Sequence, residues 1–331
     1  VSAAEFPALL QGFFTDYLQR QRQASPCTVA AYRDAFRILL AFAAQRMGRP
    51  PSRLLLADLD ATFLGAFLEH LERERGNSAR SRNARLAALH AFFRYIAFTE
   101  PAHALHCQRV LAIPSKRFER GLVEFLNDDE IGALFRAPDA TTSIGRRDRT
   151  LLLVAVQTGL RVSELIAMRR KDVTLGAGAH VRCNGKGRKL RATPLRRDVE
   201  KVLDAWLRER PSSPDTPVFS NRRDGPLSAD AIERLVARHT AAARSSCPSL
   251  TAKHVTPHTL RHTAAMQLLQ RGVDRSVIAL WLGHESIETT QMYLHADLAL
   301  KEKALARTSP TGVSPGRYRP DDALLAFLDG L

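Results

Sequence analysis

Pro257-His258-Thr259-Leu260-Arg261-His262 and, further along, Leu282-Gly283-His284 with Tyr293 behind it decide how this chain is read. Thr256 suits a helix cap and Pro257 a first helical position, so a helix is expected to open there. His258 and Arg261 then lie three residues apart on one helical face. That face is near a helix N-terminus, where anions are favoured. A His-x-x-Arg pair, a second His and a Tyr are groups that can hold a phosphodiester and attack it. Each has a plainer reading: an ordinary basic surface helix, and a tyrosine packed among Trp281, Leu282 and Leu294. His254, His258 and His262 also follow one another at every fourth position. Pro257 interrupts the first interval and no carboxylate or Cys accompanies them, so no metal site is expected.

Two upstream segments matter. Thr158-Gly159-Leu160-Arg161-Val162-Ser163-Glu164-Leu165 breaks one helix at a glycine and opens another. Arg161 sits at that junction, and Glu164 is placed to orient it or a neighbouring His. His180 to Asn184 and Lys189 to Pro194 flank Gly185-Lys186-Gly187-Arg188, a hairpin signal with Lys186 at its tip. A loop lysine can deliver a proton to a leaving oxygen; with Arg188 and Lys189 it can also simply touch phosphate. The P-loop pattern is absent from the sequence.

The composition fits a polyanionic partner. Of 331 residues, 49 are Lys or Arg against 34 Asp or Glu, a formal charge of +15. That excess favours nucleic acid. Arginine dominates, and it suits bidentate phosphate and base recognition. Cys27, Cys107, Cys183 and Cys247 are too scattered for a zinc site or a disulfide framework, so a reducing cytoplasm is expected. The first ten residues lack the basic-then-apolar order of a secretory signal, and apolar runs such as Leu151 to Val156 are too short to span a bilayer.

Residues 1–112 read as helical: Phe6 to Leu18, a helix capped by Thr28 and running through Phe42, Leu59 to Arg73, and Ser78 to Phe98. The last has a split character. Arg80, Arg82, Asn83 and Arg85 crowd its first half, and Leu89, Phe92, Phe93 and Ile96 its second. A helix anchored at its apolar end can push a basic end into a DNA groove. Residues 113–124 read as a linker. Asn127 or Asp128 caps the first helix of a second domain over 125–306, mostly helical with one β element. A Pro/Gly/Ser-rich tail, 307–331, ends in the apolar segment Ala323 to Leu328.

Thr158 to Leu165, Gly185 to Lys189, His258 to His262 and Leu282 to Tyr293, in this order, resemble the motifs of tyrosine recombinases, the phage integrase-like family, of Xer or mobile-element type. The resemblance implies a mainly α, two-domain, C-shaped DNA clamp. It joins a SAM-like core-binding domain to an α/β catalytic domain with a small sheet. It implies site-specific recombination through a covalent 3′-phosphotyrosyl intermediate, without metal or other cofactor. The catalytic set it implies is Arg161, Lys186, His258, Arg261, His284 and the nucleophile Tyr293, with Glu164 in support. Arg80, Arg82, Asn83, Arg85, Arg188 and Lys189 are the candidate DNA contacts. The implied partners are double-stranded DNA with paired inverted half-sites, three further copies of the chain in a tetramer on two such sites, and an accessory or partner recombinase. The implied setting is the bacterial cytoplasm, at the nucleoid. Two other readings share the fold: a type IB topoisomerase-like nicking-closing enzyme, and a catalytically silent DNA-binding protein.

Overall fold

A computed structural model describes residues 6–118, 123–185, 190–210 and 212–283. The chain divides into two compact units, Val1–Arg120 and Gly121–Leu331.

In the first unit, α1 (Phe6–Gly12) continues into a π-helical stretch, Phe13–Gln21. The expected single amphipathic helix therefore changes pitch at Phe13. This fully buried ring meets those of Tyr32, Phe36 and Phe92. A widened turn accommodates such a bulky contact. Helix α2 (Pro26–Met47) is capped by Ser25, not Thr28: the Ser25 hydroxyl accepts from Thr28 N at 3.2 Å, and Pro26 takes the first position. It runs past Phe42 and stops at Gly48, whose φ of 66° is left-handed. Asp60 caps α3 (Ala61–Arg73), and Ser78 caps α4 (Ala79–Thr99). A short α5 (Ala104–Leu111) buries Cys107 and Val110. The core is built from one face of each helix, with Phe67, Leu71, Leu89, Phe92, Phe93 and Ile96 at its centre.

The second unit opens with α6 (Asp128–Arg136), where Asn127 and Glu130 form a reciprocal capping box. Helix α7 (Ser143–Thr158) is capped by Thr142 and ends at Gly159 with φ 64°. Helix α8 (Val162–Ala167) follows at once. Three antiparallel strands come next: β1 (Val173–Thr174), β2 (His180–Asn184) and β3 (Leu190–Pro194), paired in that order. The β2–β3 register sets Cys183 opposite Arg191 and Val181 opposite Thr193. The hairpin was legible; the third strand, only two residues long, carries too few letters to signal itself. Helices α9 (Arg197–Glu209), α10 (Ala229–Ala243), α11 (Pro257–Gln270) and α12 (Arg275–Leu282) complete the described unit. Leu151, Leu152, Leu203, Trp206 and Val236 lie in the main core. Met266 and Leu269 of α11 form a smaller one with Ile278 and Leu282 of α12. No helix among the described residues is long and apolar enough to cross a membrane.

Two histidines make the first unit acid-sensitive. Burial, with Arg94 nearby, lowers the affinity of His90 for a proton, and burial does the same to His106. Each has a buried Nε2 without a hydrogen-bond partner. Below the ordinary histidine pKa of about 6.5 the unfolded chain takes up protons that these folded sites resist. Stability is therefore expected to hold above that value and to fall as the pH drops below it. Urea unfolding of the full chain, followed by circular dichroism from pH 7.5 to 5, measures the slope. Replacing both histidines by glutamine should reduce it, leaving the part that belongs to His262 of the second unit, whose proton affinity burial also lowers; an unchanged slope would assign the effect elsewhere.

Candidate active site

Helix α11 enters the site in a fixed pose. Thr256 and Thr259 cap its start reciprocally, with Pro257 at the first turn. Just upstream, the Lys253 ammonium donates to Glu130 and to the Phe125 carbonyl, both at 2.7 Å. Burial alone would raise the Glu130 carboxyl. Hydrogen bonds from Lys253, the Asn127 backbone and Ser249 instead hold it below the usual carboxylate range. Within the helix, the Thr263 hydroxyl accepts from Leu126 N at 3.0 Å and donates to Thr259 O at 2.8 Å.

His258 and Arg261 issue from this pinned turn. Arg261 is 3% exposed. Its Nη1 donates to Gly159 O at 2.6 Å and its Nη2 to Leu282 O at 2.7 Å. The His258 and His262 rings meet edge to face, centroids 4.2 Å apart. Burial, then the charges of His258 and Arg261, push His262 down to about 4. His262 is therefore uncharged at neutral pH.

Arg161 reaches the same spot from α8. Its Nη2 donates to Gly283 O at 3.0 Å, next to the carbonyl held by Arg261. Its own pose is set by Glu164, which accepts from Arg161 N at 2.7 Å and from Arg161 Nη1 at 3.1 Å. The Glu164 side chain is 3% exposed. A second guanidinium, Arg191 of β3, grips this carboxylate in bidentate fashion at 3.0 and 2.8 Å. Burial also pushes the neighbouring Cys183 thiol up to about 11, so it stays neutral and leaves the charge to the arginines.

Of the residues expected to act, Arg161, Glu164, His258 and Arg261 are thus described; Arg161 and Arg261 converge on adjacent carbonyls immediately before His284. Lys186, Arg188, Lys189, His284 and Tyr293 lie outside the described residues, as does the tail segment Ala323 to Leu328. The sequence reading missed Arg191. Its signal was there: it shares an inward strand register with the buried Thr193, and a charge on an inward register needs a partner.

On α4 the four basic-end residues separate. Arg80 is exposed and Arg85 half-buried. Arg82 is buried, and its Nη1 donates to Asn83 and to Pro114 O at 2.9 Å. Asn83 donates to Lys116 O at 2.7 Å and accepts from Lys116 N at 3.0 Å. Arg82 and Asn83 therefore brace the chain that follows α5. Arg85 lines a shallow groove with Arg37, Arg75 and Asp34, a basic grouping from three helical neighbourhoods that linear reading did not collect.

Known proteins resemble the chain over both units. Residues 124–299 match the phage integrase family model, and residues 12–98 match the phage integrase N-terminal SAM-like domain. The chain is 54% identical over 328 residues to a Sinorhizobium fredii protein named as an integrase/recombinase, y4rC, covering 99% of each. It is 32% identical over 303 residues to tyrosine recombinase XerC of Pelobacter propionicus, covering 91% of this chain and 95% of that one. Among solved structures, the XerH site-specific recombinase bound to a palindromic difH substrate superposes with TM-score 0.69 at 26% identity. That match covers 86% of this chain and 81% of that one.

The tight turns at the site leave no room for side chains. A Cβ on Gly159, at φ 64°, would lie 2.5 Å from Leu282 Cδ2 and 3.1 Å from the Ala264 Cβ. Gly159→Ala is expected to destabilise by about 1–3 kcal/mol, read as a drop of several degrees in melting temperature. Gly65 of α3 meets nothing within 4 Å, and Gly65→Ala should stabilise by up to ~1 kcal/mol. Equal shifts for the two would refute the packing account.

Proposed function

The chain belongs to the phage integrase family and is a site-specific tyrosine recombinase of the Xer or mobile-element integrase type, and from that premise we propose how its residues divide the chemistry. The observation that carries the proposal is the convergence of Arg161 and Arg261 on the Gly283 and Leu282 carbonyls, beside His258 and directly before His284. Two guanidinium groups from distant parts of the chain are brought to one anion-binding locus. Such a concentration of fixed positive charge suits a phosphate-like group.

Tyr293 attacks the scissile phosphorus, forming a 3′-phosphotyrosyl bond and releasing the 5′-oxygen. A phenol, with an ordinary pKa of about 10, is a weak nucleophile at neutral pH. His258 accepts its proton. Lys186 protonates the departing 5′-oxygen, which would otherwise leave as a costly alkoxide. Arg161 and Arg261 hold the non-bridging oxygens, and His284 donates a further hydrogen bond there. Groups that stabilise transition-state charge in this way are each worth roughly 3 kcal/mol. His262, held neutral, backs the His258 ring without competing for its proton. One phosphodiester-level bond replaces another, so the bond energy is kept and no nucleotide is consumed. A 5′-hydroxyl from a second duplex can then reverse the step and complete the exchange.

The partner is DNA carrying two inverted half-sites, and the working unit is a tetramer on two such sites. The relatives support this: the XerH structure holds a palindromic substrate, and λ integrase has been solved as a dimer on a core site and as a tetramer on a Holliday junction. On α4, Arg80 and Arg85 are the proposed DNA contacts, while Arg82 and Asn83 support the unit that presents them.

A nicked suicide duplex run on a denaturing gel tests the chemistry. The wild type should form a covalent adduct and Tyr293→Phe none; an adduct that survives in Tyr293→Phe would sink the nucleophile assignment. Salt titration tests the contacts. Arg80→Ala should weaken binding and lower the salt slope by about one phosphate contact. Arg82→Ala should chiefly lower the melting temperature.

A further inference from the structure

We propose that Arg191 is a positioning residue whose task is to neutralise Glu164, so that Arg161 keeps its positive charge for the scissile phosphate. The idea rests on the reading of Arg161 as a phosphate clamp.

Glu164 is buried and receives hydrogen bonds from two guanidinium groups. Its contact with Arg191 is the more complete, with both carboxylate oxygens matched by both terminal nitrogens. Its contact with the Arg161 side chain is a single bond, and the remaining Arg161 terminal nitrogen faces the Gly283 carbonyl. The Glu164–Arg191 pair thus closes on itself as a neutral unit. It still offers one oxygen to orient Arg161 and another to cap α8. Without Arg191, the same carboxylate would sit alone against Arg161. In a buried setting that pair would collapse into a neutral bidentate contact. The clamp would then hold its place with much of its charge cancelled.

Two further observations favour an electrostatic role over a packing role. The Arg191 side chain is 11% exposed, yet its buried Nε has no hydrogen-bond partner. An apolar side chain would fill the space without that unmet donor. The turn above it also makes way for the group: a Cβ on Gly283 would come within 2.3 Å of Arg191 Nη1. The inward strand register, the carboxylate and the adjoining turn are all fitted to a guanidinium.

Covalent adduct formation on a suicide half-site, followed in single turnover on the full-length protein, tests this beside half-site affinity and melting temperature. Arg191→Gln should slow adduct formation roughly 100-fold, the scale of losing one charge-stabilising group, with half-site affinity changed less than about threefold. Arg191→Lys keeps a cation beside Glu164 but loses the bidentate fork, so it should be intermediate, about tenfold slower than wild type. The decisive variant is the double replacement Glu164→Gln with Arg191→Gln. Removing the carboxylate that would quench Arg161 should recover at least about tenfold over Arg191→Gln alone, a coupling that two independent losses, which simply add, would not show. A double variant as slow as Arg191→Gln, or slower, overturns the proposal. So does a stably folded Arg191→Lys as slow as Arg191→Gln; that comparison decides the matter if Arg191→Gln fails to fold. Absence of any adduct with wild type, or its persistence in Tyr293→Phe, would instead strike the underlying catalytic reading.

Discussion

The buried carboxylate of Glu164 is the constraint on which the site depends. A charge removed from water must be matched, and breaking such a match typically costs about 3–5 kcal/mol. Glu164 is matched from three directions: by the backbone that starts α8, by the Arg161 side chain, and by Arg191 from β3. One anion therefore fixes the helix start, the strand and the side chain proposed to hold the phosphate. Movement of any one of them would leave charge unmatched in the interior. The site is rigid because its electrostatics leave few alternatives, and rigidity is what fixed charges need to act on a transition state.

Arg261 extends the same logic across the unit. It joins the glycine that ends α7 to the residue that ends α12. Both helices stop in the left-handed conformation that glycine adopts without penalty, at Gly159 and Gly283. The carbonyls left over at helix ends need donors, and here arginine supplies them. Upstream of α11, the buried Glu130 and its half-buried partner Lys253 secure the approach to the helix, and Thr263 ties its first turns to Leu126. His258 and Arg261 are thus presented from a turn secured at both flanks.

Much of this was legible in linear order. Thr256-Pro257 announced the start of α11, Asn127 the cap of α6, and two short runs about a glycine-bearing turn the hairpin. These are local signals, decided by neighbours in the chain. Most of what escaped was non-local. The pitch change at Phe13 depends on rings from α2 and α4, which no window around Phe13 contains. Ser25 displaces Thr28 as the α2 cap because Pro26 fixes the first turn, a rule readable in retrospect. Arg191 went unremarked, because its partner lies on a different element. Arg82 was read as reaching outward from the arginine-rich end of α4; its partner, the Pro114 carbonyl, belongs to a stretch read as a linker.

Arg82 and Arg191 also bear on what the net charge means. A formal charge of +15 invites the picture of a uniformly basic face for DNA. Yet Arg82, Arg147, Arg161, Arg191 and Arg261 all donate inward, to backbone carbonyls or buried carboxylates. Arg147 and Arg238 share Asp148, fully buried, with His239. A guanidinium cannot shed its proton when buried, and its planar fork can satisfy two acceptors at once. It is therefore suited to pinning irregular backbone, two acceptors at a time. Some of the arginine excess thus serves as internal bracing, while Arg37, Arg75 and Arg80 are among the arginines that face outward. The same residue type braces the interior and charges the surface, and only its partners tell the two uses apart.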